Sequence, residues 1–87
     1  MSKGTEKGER KLSNSASQKV LLVALGERIQ ELRKEKGLTQ IELSYRCEME
    51  RSNMRRIEAG GTNPTIATLK KISSALGISL SELFENL

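Results

Sequence analysis

Residues Thr39 to Glu58, TQIELSYRCEMERSNMRRIE, limit what this chain can fold into more than any other stretch, because they spell two short helices meeting at a tight turn. Thr39 followed three residues later by Glu42 has the spacing of a capping box. The threonine hydroxyl accepts from the backbone of the third helical residue while the glutamate reaches back to the cap, so a helix is predicted to start there. Leu43, Ser44 and Cys47 share one face of that helix. On the next segment Met54 and Ile57 form an apolar pair three apart. Arg51, Arg55 and Arg56 follow at i, i+4 and i+5, and a helix that buries Met54 and Ile57 turns most of this stripe outward. Such a face suits the edge of a DNA duplex.

The remaining composition allows one small domain. The chain has 87 residues, of which 36% are hydrophobic, at the low end of what a single core can stabilise. With one Tyr, one Phe and no Trp the core must be aliphatic, and stacking platforms for single-stranded nucleic acid are scarce. One cysteine excludes an internal disulfide and fits a reducing cytoplasm, with Cys47 packing as a small apolar residue. The run Val20 to Leu25 is too short and too late for a secretory signal or a membrane span, so no membrane association is expected. There is no histidine, no cluster spaced for metal ligation and no glycine-rich phosphate loop. The expectation is therefore a protein that is not an enzyme, with no metal, no cofactor and no small-molecule ligand.

Charge distribution says more than net charge. The total is +4, but residues 1–19 hold five basic residues against two acidic ones, whereas residues 20–87 hold ten against nine. Between Thr39 and Glu58 four arginines balance four glutamates, so segregation of the arginines onto one face, and not bulk basicity, points to nucleic acid.

Residues 1–19 are rich in Gly, Ser and Lys and carry almost nothing apolar, which predicts a flexible basic arm; it is either a plain solvated tail or an arm that follows phosphates or enters a minor groove. Residues 20–87 form the domain. From about Val20 to Lys36, Leu21, Leu22, Leu25, Ile29 and Leu32 mark the buried side of a first helix, ended by Gly37. The third helix ends at Gly60 and Gly61. After Pro64, Thr65 and Thr68 supply a cap for a fourth helix with the stripe Ile66, Leu69, Ile72 and Leu76, running up to Gly77. Ser79 and Glu82 form a second capping box opening a short fifth helix with Leu80, Leu83, Phe84 and Leu87. No strand alternation occurs, and the fold class is all-α, a compact five-helix bundle.

Set end to end, LGERIQELRKEKGLTQIEL, the arginine helix and NPTIATLKKISSALGISLSELFE resemble the Cro and phage-repressor type of helix-turn-helix domain, the XRE family, with its lambda-repressor-like DNA-binding fold. The resemblance covers nearly everything from Leu25 onward. By position it implies that Arg51, Ser52 and Arg56 reach base edges from a recognition helix spanning about Arg51 to Ala59. It implies that Gln40, Asn53 and Arg55 meet phosphates, with Gln40 also buttressing the recognition helix. It further implies that Arg33 and Glu58 form a largely buried ion pair fixing helix 1 against the end of helix 3.

Three residues depart from the family pattern. Glu48 stands where the turn usually has glycine, which asks a non-glycine residue to adopt positive φ. Glu50 takes the usual Ser or Thr cap position of helix 3, where its carboxylate suits the helix dipole and a capping role is expected, the alternative being to accept from a cytosine N4 amino group. Ile41 takes a normally polar, outward position, free to touch a partner.

The leading expectation is a sequence-specific regulator of transcription that binds double-stranded DNA as a homodimer on a palindromic operator, with helix 3 in the major groove. Candidate dimer surfaces are Val20 with Val23, and Leu80, Phe84 and Leu87, the C-terminal helix being preferred. The alternative is an adaptor or antitoxin that uses the same domain mainly to bind a protein.

Overall fold

The computed structural model describes the backbone of residues 3–87 and the side chains from Ala16 onward, and its regular elements are all helices. They are α1 (Lys3–Glu35), α2 (Gln40–Arg46), α3 (Arg51–Glu58), α4 (Ile66–Leu76) and α5 (Leu80–Leu83). The all-α class and the five-helix bundle are thus as expected.

Local chemistry sets most of the boundaries. Thr39, Thr65 and Ser79 cap α2, α4 and α5, their hydroxyls accepting from the backbone N–H groups of Glu42, Thr68 and Glu82. In the two complete boxes the glutamates reach back, the Glu42 carboxylate accepting from Thr39 N–H at 2.8 Å and that of Glu82 from Ser79 N–H at 2.9 Å. The first four helices end alike, in a left-handed residue at which the chain folds back to satisfy the last carbonyls. After α1, Leu38 N–H donates to Arg33 O at 3.0 Å and Gly37 N–H to Lys34 O at 2.9 Å. The same pair of bonds recurs after α2 at Met49 and Glu48, after α3 at Gly61 and Gly60, and after α4 at Ile78 and Gly77. Three of the four left-handed positions are glycines; the fourth is Glu48.

The core is aliphatic and draws on every helix. Leu25, Ile29 and Leu32 of α1 meet Leu43 and Cys47 of α2, Met54 and Ile57 of α3, Leu69, Ile72 and Leu76 of α4, and Leu83 of α5. Burying side chains of this size stabilises by about 1.5–3 kcal/mol each, which is what draws five short elements together. Burial also pushes the Cys47 thiol pKa up, in part opposed by the Lys71 ammonium, so the residue behaves as a small apolar group. The Arg28 guanidinium donates to Glu82 O at 2.8 Å and ties the last helix to α1.

Three expectations need correction. Residues 3–19 have helical backbone, so α1 starts at Lys3 and not at about Val20; Met1 and Ser2 lie outside the described residues. Ala16 to Val20 are all exposed, so this part is an extension of an anchored helix, which adds residues far more easily than a new helix nucleates. Leu21, expected in the core stripe, is exposed, because it sits beyond the reach of the other helices. Ile66 is exposed for a similar reason: it is the first residue of α4, one turn ahead of the stripe Leu69, Ile72 and Leu76 that packs.

Candidate nucleic-acid interface

Helix α3 has two sides of opposite character. Met54, Ile57 and Glu58 are buried, and helical geometry puts Ser52 and Arg56 on the opposite face, flanked by Arg51 and Arg55 along one edge. All four of these outward residues are exposed. Among the described residues none of the three arginines is held by a carboxylate, so their guanidinium donors are free. Asn53 is half-buried at the other edge, its amide 4.0 Å from the Met49 sulfur.

The inner face of α3 is gripped through one residue. The Arg33 guanidinium meets the Glu58 carboxylate through Nε to Oε2 at 2.8 Å and Nη2 to Oε1 at 3.1 Å, and its remaining Nη1 donates to Leu38 O at 2.9 Å. Side-chain exposure is 11% for Arg33 and 3% for Glu58, so the two charges meet largely out of water. Gln40, at the start of α2, donates from Nε2 to Glu58 Oε1 at 3.0 Å. A two-point Arg–carboxylate contact fixes direction as well as distance, so α1 and α2 together set how α3 leaves the bundle. Gln40 is half-buried, and its amide nitrogen has a second hydrogen beyond the one given to Glu58.

The turn between α2 and α3 keeps its shape despite its residue. Glu48 has φ +55, the conformation a glycine would adopt without penalty, and its turn hydrogen bonds form at 3.0 Å. Glu50 does not act as expected. It occupies the N-cap of α3 with extended backbone, but its side chain makes no capping hydrogen bond, since a glutamate is a methylene too long to fold back onto its own first turn. Among α2 to α5, α3 alone therefore starts without a side-chain cap.

Comparison with known proteins matches this arrangement directly. The sequence profile described as helix-turn-helix (HTH_3) aligns with residues 29–83, which contain α2, the turn, α3 and α4. The chain belongs to this helix-turn-helix family. It is 38% identical over 61 residues to the immunity repressor protein of Bacillus phage phi105, an alignment covering 70% of this chain and 42% of the repressor. It is also 38% identical over 66 residues to the control protein C.MunI of a Mycoplasma species, covering 75% of this chain and 89% of that protein. Among solved structures, the restriction-modification controller protein C.AhdI from Aeromonas hydrophila superposes with a TM-score of 0.71 at 38% identity, over 72% of this chain and 96% of the other. The chain thus spans under half of the phage repressor and nearly all of the controller protein.

Two residues that orient α3 in this helix-turn-helix protein escape a reading of its sequence. Gly26 of α1 lies against the end of α3, where an added Cβ would overlap the Glu58 carbonyl and sit 2.7 Å from Ile57 O. A glycine inside a helical pattern is the only local hint of such contact. Gln30, also on α1, donates from Nε2 to Glu58 O at 2.9 Å and leaves no sequence signal at all.

Other surfaces bear on partners. Val23, a candidate for dimer contact, is half-buried because its backbone approaches Gly60, where a Cβ would lie 2.8 Å from Val23 Cα. Leu80 and Phe84 are partly covered by the core, while Val20, Leu21 and Leu87 stay exposed around a shallow apolar groove. Ile41 is exposed, and Tyr45, four residues on along α2, is 84% exposed. Among the described residues no group of His, Cys, Asp or Glu is placed to hold a metal, and no helix is long and apolar enough to cross a membrane.

Proposed function

We propose that this helix-turn-helix protein is a sequence-specific regulator of transcription that binds double-stranded DNA as a homodimer on a palindromic operator, with α3 in the major groove. The observation that carries the reading is the face of α3: three arginines with no carboxylate partner among the described residues, and a serine, turned outward from a helix whose inner side is fixed by a buried ion pair. A rigid rod with free guanidinium groups fits the major groove, where guanine presents paired acceptors to one arginine. Arg51, Ser52 and Arg56 are assigned to base edges, and Gln40, Asn53 and Arg55 to phosphates. Gln40 would use its second amide hydrogen for this, linking a phosphate to Glu58 through one side chain. Arg33 and Glu58 form the frame behind them. The relatives support the regulatory role, being named an immunity repressor and a control protein. Dimerisation follows from the small reach of one helix, which reads only a few base pairs; two copies would place their recognition helices about 34 Å apart.

Selection from random duplexes tests the proposal. Wild-type protein is expected to enrich a two-fold symmetric sequence. Arg51→Ala with Arg56→Ala is expected to lose about 1–3 kcal/mol of base discrimination per arginine and to show a smaller salt slope. The exposed pair Ile41 and Tyr45 favours a second reading, an adaptor or antitoxin that chiefly binds a protein. Under it the same double variant keeps its partner, and the wild type enriches no sequence.

A further inference from the structure

Glu58 is held at two levels, and only one of them acts directly on the helix backbone. Its carboxylate, gripped by Arg33 and Gln40, acts on the helix through the side-chain bonds; its carbonyl is part of the α3 backbone. A helix leaves its last carbonyls without intrahelical donors. At the end of α3 those of Arg55, Arg56 and Ile57 accept from Ala59, Gly61 and Gly60, all within the same turn. The Glu58 carbonyl accepts instead from Gln30 Nε2 of α1 at 2.9 Å, a backbone-directed bond from outside the element. Gln30 lies on the stripe Val23, Gly26, Gln30 and Arg33, one face of α1 that meets the end of α3: Val23 against Gly60, Gly26 against Glu58, Arg33 on its carboxylate. The other end of α3 has no side-chain cap to share the task.

We propose that Gln30 is a positioning residue of the DNA-reading face, fixing the C-terminal turn of α3 so that Arg56, two residues before Glu58, meets its base in register. The inference rests on the DNA-binding reading above. Gln30 carries no charge, so its loss releases the turn while leaving the charge of the DNA-reading face unchanged.

The experiment compares wild type, Gln30→Met and Gln30→Ala. Methionine keeps the length and apolar stem but has no donor. Each protein is measured on the selected operator and on duplexes changed at single base pairs, at fixed salt, with thermal melting alongside; Arg56→Ala identifies the base pair that Arg56 reads. Expected is a loss of discrimination of about fivefold, the factor one neutral hydrogen bond allows, concentrated at the Arg56 base pair. The salt slope is expected to stay unchanged, and adding Gln30→Met to Arg56→Ala to cause no further loss. Uniform weakening on all duplexes in proportion to melting temperature overturns the proposal, as does unaltered discrimination. If neither variant folds, Gln30 belongs to the folding frame and the proposal falls. A wild type without sequence preference defeats the DNA-binding reading itself, and shows this before any variant is made.

Discussion

Gly26 of α1 touches the last turn of α3 so closely that a methyl group on it would overlap the carbonyl oxygen of Glu58. The absence of a side chain is what lets these two helices approach, and with them the network that holds Glu58.

Replacing glycine by alanine inside a helix normally stabilises by about 1 kcal/mol. At Gly26 the sign should reverse. The obstructing atoms are backbone and cannot rotate away, so Gly26→Ala is expected to destabilise by about 1–3 kcal/mol, the range for overpacking. The denaturant midpoint checks this, and a variant more stable than wild type would contradict the close approach.

Breaking the ion pair from either side should leave a buried charge without its partner. Arg33→Ala or Glu58→Ala is each expected to destabilise by about 3–5 kcal/mol, more than the intact pair contributes. The double variant should lose much less than the sum of the two, and a double-mutant cycle in denaturant unfolding measures the coupling. An unchanged midpoint for Arg33→Ala would remove the pair from any structural role.

Glu48 holds a left-handed turn that three glycines hold elsewhere in the fold. An L-residue there is disfavoured by about 1–2 kcal/mol, and glycine returns part of that gain through the greater freedom of its unfolded chain. Glu48→Gly is therefore expected to stabilise by about 0.5–1 kcal/mol, a rise of several degrees in melting temperature for a domain of this size. The two hydrogen bonds of the turn should survive, which amide exchange at Met49 would register.

The Thr39 box should respond to acid. Hydrogen bonds from the Thr39 backbone and then its side chain hold the Glu42 carboxyl below its ordinary value of 4.5. A carboxyl depressed on folding contributes stability above its unfolded pKa and loses it as pH falls through the folded one. The stability advantage of wild type over Glu42→Gln should thus be full above about pH 4.5 and vanish in more acidic solution. Urea titrations at a series of pH values test the trend; a difference that grows on acidification would refute it.

Much of this architecture can be read along the chain because its determinants are local. Thr39 with Glu42, Ser79 with Glu82, and the terminating Gly37, Gly60 and Gly77 act within a few residues of themselves, and the helices start and stop where they say. The buried faces of α3 and α4 follow from spacing alone, down to Met54 with Ile57 and Leu69 with Ile72. Periodicity fails where a stripe outruns its neighbours, as at Leu21 and Ile66, since spacing specifies a face but not the length of helix that another element covers. It fails again at the start of α1, which continuation of an anchored helix carries back from about Val20 to Lys3. Glu50 misleads because charge and position favour a cap while side-chain length forbids it. Gly26 and Gln30 work through contact with a residue about thirty positions away, a relation that one sequence does not display.

Everything that steadies α3 belongs to its inward side or to other helices: the core pair Met54 and Ile57, Glu58, and the stripe on α1. Its outward positions 51, 52, 55 and 56 bear no weight in the architecture. Their side chains can be replaced by others that suit a helix with little consequence for folding, so a lineage or an engineer could rewrite the message this scaffold reads while leaving the scaffold untouched.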